Sequence, residues 1–117
     1  MCTRPNVKKP SRSFPDETAL WDFIGPNLRG KWWRLEAVTP DGLPDALGLW
    51  NGKTWWLELK VGKPDLYALR PAQRDFGYEC VSYSVPHWTC FGYRGEARFF
   101  FNLDLMEEMM PPFYRAT

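Results

Sequence analysis

The sequence predicts an α/β fold, a mixed central sheet of about five strands flanked by helices, with the elements in the order α-β-β-β-α-β-β. Three observations predict it. Helix-like segments occupy residues 13–24 and 70–83, an Asn-Gly pair at 51–52 joins two strand-like runs, and two further apolar runs stand on either side of residues 94–95. This order of elements indicates a sheet with helices packed against it.

The first helix is predicted over residues 13–24, with Ser13 as its N-cap and Pro15 in its first turn. Gly25-Pro26 would end it. Glu17 lies at the start of its apolar stripe, where it could either serve a functional site or simply favour the helix dipole.

Three strand-like runs follow the first helix. Residues 31–38 alternate as a strand, and the sequence TPDG at 39–42 forms a turn. Residues 43–50 and 53–61 are then joined by Asn51-Gly52, the strongest short hairpin signal that a sequence can carry.

The hairpin fixes which residues face each other. If Asn51 and Gly52 are the two loop residues of a type I′ turn, Trp50 pairs with Lys53, and the same register places Asp45 opposite Glu58. A slip of one residue would send Asp45 to the other face. A regular turn therefore predicts two carboxylates as cross-strand neighbours.

Two carboxylates on directly opposed positions repel each other. Either one of Asp45 and Glu58 takes up a proton, or a divalent cation lies between them. An all-oxygen set of ligands suits Mg²⁺ or Mn²⁺. Lys60 shares the face of Glu58, and the alternative is that it merely neutralises the pair on a solvated sheet face.

The second half of the chain supplies a helix and two strands. The helix is predicted over residues 70–83, and the strand-like runs over residues 84–93 and 97–105. One face of this helix carries Gln73, Phe76 and Cys80.

The length of 117 residues predicts one domain, residues 13–117, preceded by a flexible basic arm at residues 1–12. The net charge of +1 indicates no global affinity for nucleic acid. The arm, however, contains no acidic residue, so it could either bind phosphates or be a solvated terminus. Its basic residues are Arg4, Lys8, Lys9 and Arg12.

The three cysteines are too few and too scattered for a disulfide framework, so we expect free thiols. His87 is the single histidine, which excludes zinc sites with several histidines and makes a strand residue the simpler interpretation. The chain shows neither a signal-peptide pattern nor an apolar run of the ~20 residues that cross a bilayer. We therefore expect a cytoplasmic protein, in a bacterium or a phage-infected host cell.

Pro44-Asp45 followed by Glu58-Leu59-Lys60 resembles the PD-(D/E)xK nuclease signature. The surrounding sequence is also similar to the small stand-alone phage and bacterial members of the VRR-NUC family, over residues 16–93. This wider similarity is carried by Glu17, RLEAVTPDGLPD, WLELK and LRPAQRDF. The resemblance implies a restriction-endonuclease-like core and an Mg²⁺- or Mn²⁺-dependent endodeoxyribonuclease of DNA recombination and repair, similar to homodimeric Holliday junction resolvases.

The resemblance also implies a role for each site residue. Asp45 and Glu58 would hold the metal with the backbone carbonyl of Leu59, and Glu17 would complete the site through a water molecule. Lys60 would orient or activate the attacking water and steady the phosphate, while Gln73 would reach the site from the second helix.

Further basic residues could contact DNA phosphates beside the site, together with the arm. They are Arg34, Lys63, Arg70 and Arg74. The alternatives are a non-catalytic DNA-binding or protein-interaction module on the same fold, or a nicking or branched-DNA endonuclease that acts as a monomer.

A homodimer is expected because the aromatic side chains exceed what one small core obviously buries, and large apolar patches commonly mark interfaces. The rings in question are Trp32, Trp33, Trp50, Trp55, Trp56 and the run 99–101. The alternative is that they fill the core of an unusually aromatic monomer.

Overall fold

The computed structural model describes residues 13–35 and 41–115, and the basic arm at 1–12 lies outside these ranges. The elements are α1 (Glu17–Ile24), β1 (Lys31–Arg34), β2 (Ala46–Trp50), β3 (Lys53–Val61), α2 (Pro71–Ser82), β4 (His87–Tyr93) and β5 (Glu96–Phe101), with short 3₁₀ turns at Gly25–Asn27 and Leu66–Ala68. The predicted order of elements is confirmed. Within the described ranges, neither helix is long and apolar enough to cross a membrane.

The five strands form one sheet in the order β1-β2-β3-β4-β5. Only β3 and β4 are parallel, and α2 makes the crossover between them. Leu57 belongs to the core cluster that contains Leu20 of α1. Its neighbour Trp56 faces the other side, where its ring centroid lies 5.2 Å from that of Phe76 in α2. The helices therefore cover opposite faces, which confirms the α/β fold class.

The hairpin has the predicted register. Asn51 and Gly52 both have positive φ, at 54° and 73°, as a type I′ turn requires. The pairs run without a bulge from Trp50 opposite Lys53 to Ala46 opposite Leu57. One step further along the same register places Asp45, which directly precedes β2, opposite Glu58.

The start of the first helix differs from the prediction. α1 begins at Glu17, and its N-cap is Asp16, whose carboxylate accepts a hydrogen bond from the Ala19 N–H at 2.9 Å. Ser13 is not the cap. Phe14 packs on Phe23, with ring centroids 5.2 Å apart, and this contact holds the preceding residues outside the helix.

Three strands begin or end inside their predicted ranges, and one of them is β4, which begins at His87 rather than residue 84. β2 begins at Ala46 rather than residue 43, because Pro44 has no N–H to donate to a ladder. β5 ends at Phe101 because Asn102 and Leu103 turn the chain with φ of 54° and 63°. The predicted first strand reaches residue 38, of which residues 36–38 lie outside the described ranges.

Of the eight aromatic rings named above, three are buried, four are half-buried and one is exposed, so only part of the expected aromatic surplus lies on the surface. Trp55, Phe99 and Phe100 are buried. Phe113, from the segment after β5, completes this packing, with its ring centroid 4.8 Å from that of Trp32 and 5.3 Å from that of Trp55. Trp32, Trp50 and Phe101 are half-buried against the same cluster. Of the named rings, Trp33 is the one that stays substantially exposed, at 43%.

Candidate active site

A surface cavity of about 540 Å³ collects the predicted site residues. It lies where β1 ends, β2 begins and both α-helices start. Its lining includes Glu17, Asp45, Glu58, Lys60 and Gln73, together with the backbone of Leu59 and the basic residues Arg34 and Arg70. Residues from six parts of the fold thus meet at one end of the sheet.

Asp45 is held by backbone contacts on both sides. Its Oδ2 accepts a hydrogen bond from the Leu59 N–H at 2.8 Å, and its backbone carbonyl accepts one from the Leu35 N–H at 2.7 Å. The buried Pro44 fixes the chain just before it. The carboxylate is therefore tied to β3 beside Glu58.

Glu58 is 1% exposed, which is unusual for a carboxyl group. Burial above all, and then the neighbouring Asp45 carboxylate, raise the pKa of Glu58 to about 9, while Lys60 and Arg70 act in the opposite direction. Without a bound cation Glu58 is thus protonated near neutral pH. This is the first of the two predicted ways to relieve the repulsion between the carboxylates.

Gln73 is oriented by two hydrogen bonds. Its Oε1 accepts from the backbone N–H of Arg70 at 2.8 Å, and its Nε2 donates to Oε2 of Glu58 at 3.0 Å. Since only Oε1 can accept the Arg70 N–H, the donor end of the amide must face Glu58. The prediction that Gln73 reaches the site from the second helix agrees with this contact.

Gly77, one turn further along α2, allows the helix to lie close to the sheet. A Cβ atom there would stand 2.7 Å from Leu103 Cδ1 and 3.3 Å from Cε1 of His87. Glycine costs about 1 kcal/mol of helix propensity. At this position it permits the approach that brings Gln73 to Glu58.

The oxygen atoms at the site fit a hard divalent cation. Oε1 of Glu58 is buried and has no hydrogen-bond partner among the described residues. It stands beside the carboxylate of Asp45, and oxygen ligands of this kind suit Mg²⁺ or Mn²⁺. No three acidic, histidine or cysteine side chains of residues 13–35 and 41–115 form a metal-binding group, so Glu17 is not a third direct ligand on this geometry.

Of the predicted DNA-binding residues that the structure describes, two line the cavity and two lie elsewhere. Arg34 and Arg70 line the cavity. Lys63 lies in a separate depression beside Tyr93, and the guanidinium carbon of Arg74 stands 5.1 Å from the ring centroid of Tyr67. Arg4, Lys8, Lys9 and Arg12 lie outside the described ranges.

Sequence reasoning missed Asp41, which also lines the cavity. Its Oδ1 accepts a hydrogen bond from the Arg70 guanidinium at 2.8 Å, although the two residues are 29 positions apart. The backbone comes close at the same point, because a Cβ atom on Gly42 would lie 2.8 Å from the carbonyl oxygen of Ala72. The sequence TPDG indicates a turn but gives no sign of this contact with α2.

No family model and no curated protein sequence matches the chain. Among solved structures, it is similar to the 1.6 Å resolution structure of Hjc from Archaeoglobus fulgidus, a Holliday junction resolvase from an archaeal hyperthermophile. The two chains are 15% identical, with a TM-score of 0.48, and the match covers 73% of this chain and 74% of that chain.

Proposed function

We propose that the chain is a metal-dependent endonuclease that hydrolyses phosphodiester bonds in branched DNA, with the four-way Holliday junction as its substrate. One observation carries the proposal: Asp45 and the buried Glu58 are adjacent in a solvent-open cavity that also contains Lys60 and Gln73. A purely structural sheet face has no use for two apposed carboxyl groups, one of them buried.

In this proposal Asp45 and Glu58 hold the cation with the carbonyl of Leu59, and Glu17 contributes through a water molecule. When bound, a divalent cation lowers the pKa of water and stabilises negative charge developing on a phosphate. Uptake of the cation requires Glu58 to release its proton to solvent. Gln73 keeps that carboxylate aimed at the cavity.

Lys60 supplies a positive charge close to the reacting groups. Its ammonium group can donate hydrogen bonds to the attacking water and to a phosphate oxygen. Such donors lower the activation free energy most when they contact atoms that gain negative charge in the transition state, in a site from which bulk water is excluded. Arg34 and Arg70 would hold the flanking phosphates, and the basic arm would add sequence-independent contacts.

The preference for branched DNA and membership of the VRR-NUC family rest on the sequence motifs. A homodimer would match the two-fold axis of a four-way junction and place one active site at each cut. Only one of the eight rings, Trp33, is substantially exposed, which favours a second candidate, a nicking or branched-DNA endonuclease that acts as a monomer. Mixing wild type with Glu58→Gln distinguishes the two, since only a dimer gives mixed species that cut one strand of each junction.

The direct test is cleavage of labelled DNA: a four-way junction, a fork, a nicked duplex and a linear duplex, each with and without Mg²⁺. We expect Mg²⁺-dependent cutting that Asp45→Asn, Glu58→Gln and Lys60→Ala each abolish. DNA binding should survive in the two carboxyl variants. Glu79→Gln, an exposed change on α2, serves as the matched control and should cut normally. EDTA-resistant cutting by Glu58→Gln would refute the proposal.

A further inference from the structure

Tyr67 presents a large aromatic ring to solvent, three residues before Arg70, which lines the candidate active site. It lies in the 3₁₀ turn Leu66–Ala68, between β3 and α2, and 78% of its surface is exposed. The turn itself is well anchored, because Asp65 Oδ1 accepts the Tyr67 N–H at 3.0 Å and Leu69 is buried in a core cluster. The ring is thus held on a fixed backbone without contributing to the core.

Arg74 supports this ring. Its guanidinium carbon stands 5.1 Å from the Tyr67 ring centroid, within the range of a cation–π contact. The same guanidinium donates a hydrogen bond to the carbonyl of Leu69, which fixes its position. The Arg74 guanidinium therefore contacts one face of the Tyr67 ring, while most of the ring surface stays accessible to solvent.

The position of the ring relates it to the cavity. The loop that carries Tyr67 runs from the end of β3, just after Lys60, to Arg70, and Gln73 follows in the first turn of α2. Lys60, Arg70 and Gln73 line the cavity, whereas Tyr67 stands outside it. Tyr67 precedes Arg70 by three residues. Three residues of extended chain span at most about 11 Å, so the base of a nucleotide whose phosphate is bound by Arg70 would be within reach of the ring.

We propose that Tyr67, backed by Arg74, is a stacking platform for a nucleobase at the branch point that has lost its stacking neighbour on one face. Stacking on an aromatic ring is tolerant of sequence because every base has a π-face. In a continuous duplex both faces of each base are already stacked on neighbours, so the platform selects DNA whose bases are exposed at a branch point. The inference rests on the proposed function and specifies the substrate feature that this site recognises.

The test uses a four-way junction with 2-aminopurine as the base next to the branch point, and binding is measured in EDTA so that no cleavage occurs. Stacking on the ring should quench the 2-aminopurine fluorescence when wild-type protein binds. Tyr67→Ala should abolish the quenching and weaken binding roughly 5- to 150-fold, the range for one base–aromatic stack. Tyr67→Phe, which keeps the ring, should retain both.

Tyr83→Ala is the matched control. Tyr83 is 77% exposed but caps the opposite end of α2, so its removal should leave quenching and affinity unchanged. Equal quenching by wild type and Tyr67→Ala would overturn the inference, as would an equal loss in Tyr83→Ala.

The failure of this inference is distinguishable from the failure of the proposed function. Fluorescence quenching requires only binding, whereas the proposed function requires Mg²⁺-dependent cleavage. Cleavage that Tyr67→Ala leaves intact, with quenching also intact, would reject the platform and keep the nuclease. Quenching lost in Tyr67→Ala, in a protein that cuts no DNA, would keep the platform and reject the nuclease.

Discussion

Nε2 of Gln73 donates a hydrogen bond to Oε2 of Glu58 at 3.0 Å, linking the first turn of α2 to the middle of β3. Both side chains are nearly inaccessible to solvent, at 5% and 1% exposure. The loss of a hydrogen bond between buried groups lowers stability mainly because the remaining group is left without a partner and away from water. The pair therefore makes the geometry of the site sensitive to changes in the helix.

Gln73→Leu should destabilise the protein by about 1–3 kcal/mol, because it leaves the buried carboxyl group of Glu58 without its hydrogen-bond donor. Gln73→Glu should retain the bond to the Arg70 N–H but place a second carboxyl group against Glu58, and cleavage should be lost. Urea denaturation measures the first effect and a junction-cutting assay the second. Asp75→Asn, on the exposed side of the same helix, should change neither. A fully active and stable Gln73→Glu would contradict the proposed contact.

Mg²⁺ should stabilise the wild-type fold but not Glu58→Gln. A ligand that binds only the folded state stabilises it by about 2.7 kcal/mol at a hundred times its dissociation constant. Thermal denaturation with and without Mg²⁺ should therefore show a rise in Tm for wild type. In EDTA, Glu58→Gln should melt at the wild-type temperature or above it, because folding of wild type near neutral pH requires Glu58 to take up a proton, whereas the amide needs none. An equal rise with Mg²⁺ in both proteins would place the cation elsewhere.

Asp41→Asn should bind DNA several-fold more tightly at low salt. The ion pair between Asp41 and Arg70 is exposed, with 71% and 60% of the side chains accessible, so it contributes only about 0–1 kcal/mol to stability. Its loss frees the guanidinium for a phosphate and removes a negative charge from the rim of the cavity. Fluorescence anisotropy against salt concentration measures the effect, which should shrink as salt rises. If Arg70→Ala binds DNA as well as Asp41→Asn does, Arg70 has no role in binding.

Acid should destabilise the protein through His87. Burial lowers the pKa of His87 to about 4. The unfolded chain takes up a proton below the ordinary pKa of about 6.5, whereas the folded chain does not, so stability present above that pH is lost as the pH falls towards 4. The loss attributable to this group is at most about 3 kcal/mol.

The comparison of wild type with His87→Phe between pH 7 and 5 isolates this loss, because carboxylates contribute equally to both proteins. His87 is the single histidine of the chain, so its imidazole resonance can be followed directly by NMR. A titration midpoint between pH 6 and 7 would contradict the buried environment of the ring.

The sequence predicted the features that local geometry determines. Asn51 and Gly52 were enough to place Asp45 opposite Glu58, because a two-residue turn sets which positions of the two strands are paired. The burial of Glu58 was not predictable in the same way, since it depends on how closely α2 approaches the sheet at Gly77. The contact between Asp41 and Arg70 joins two loops that only the tertiary structure brings together.

The same limit explains the misjudged aromatic rings. Their number was visible in the composition, but the segment after β5 was not expected to return Phe113 to the centre of the core. The N-cap was misplaced for a different reason. Ser13 and Asp16 are both good capping residues, and the choice between them was made by the packing of Phe14 outside the helix.

The type I′ turn at Asn51-Gly52 has an evolutionary consequence for the proposed chemistry. Substitutions along β2 and β3 leave both carboxyl groups on the same side of the sheet, so the surroundings of the site can diverge widely in sequence. A single inserted or deleted residue between Ala46 and Leu57 would instead turn Asp45 away from Glu58. In descendants of this gene we therefore expect the length of the hairpin to be preserved more strictly than the identity of its residues.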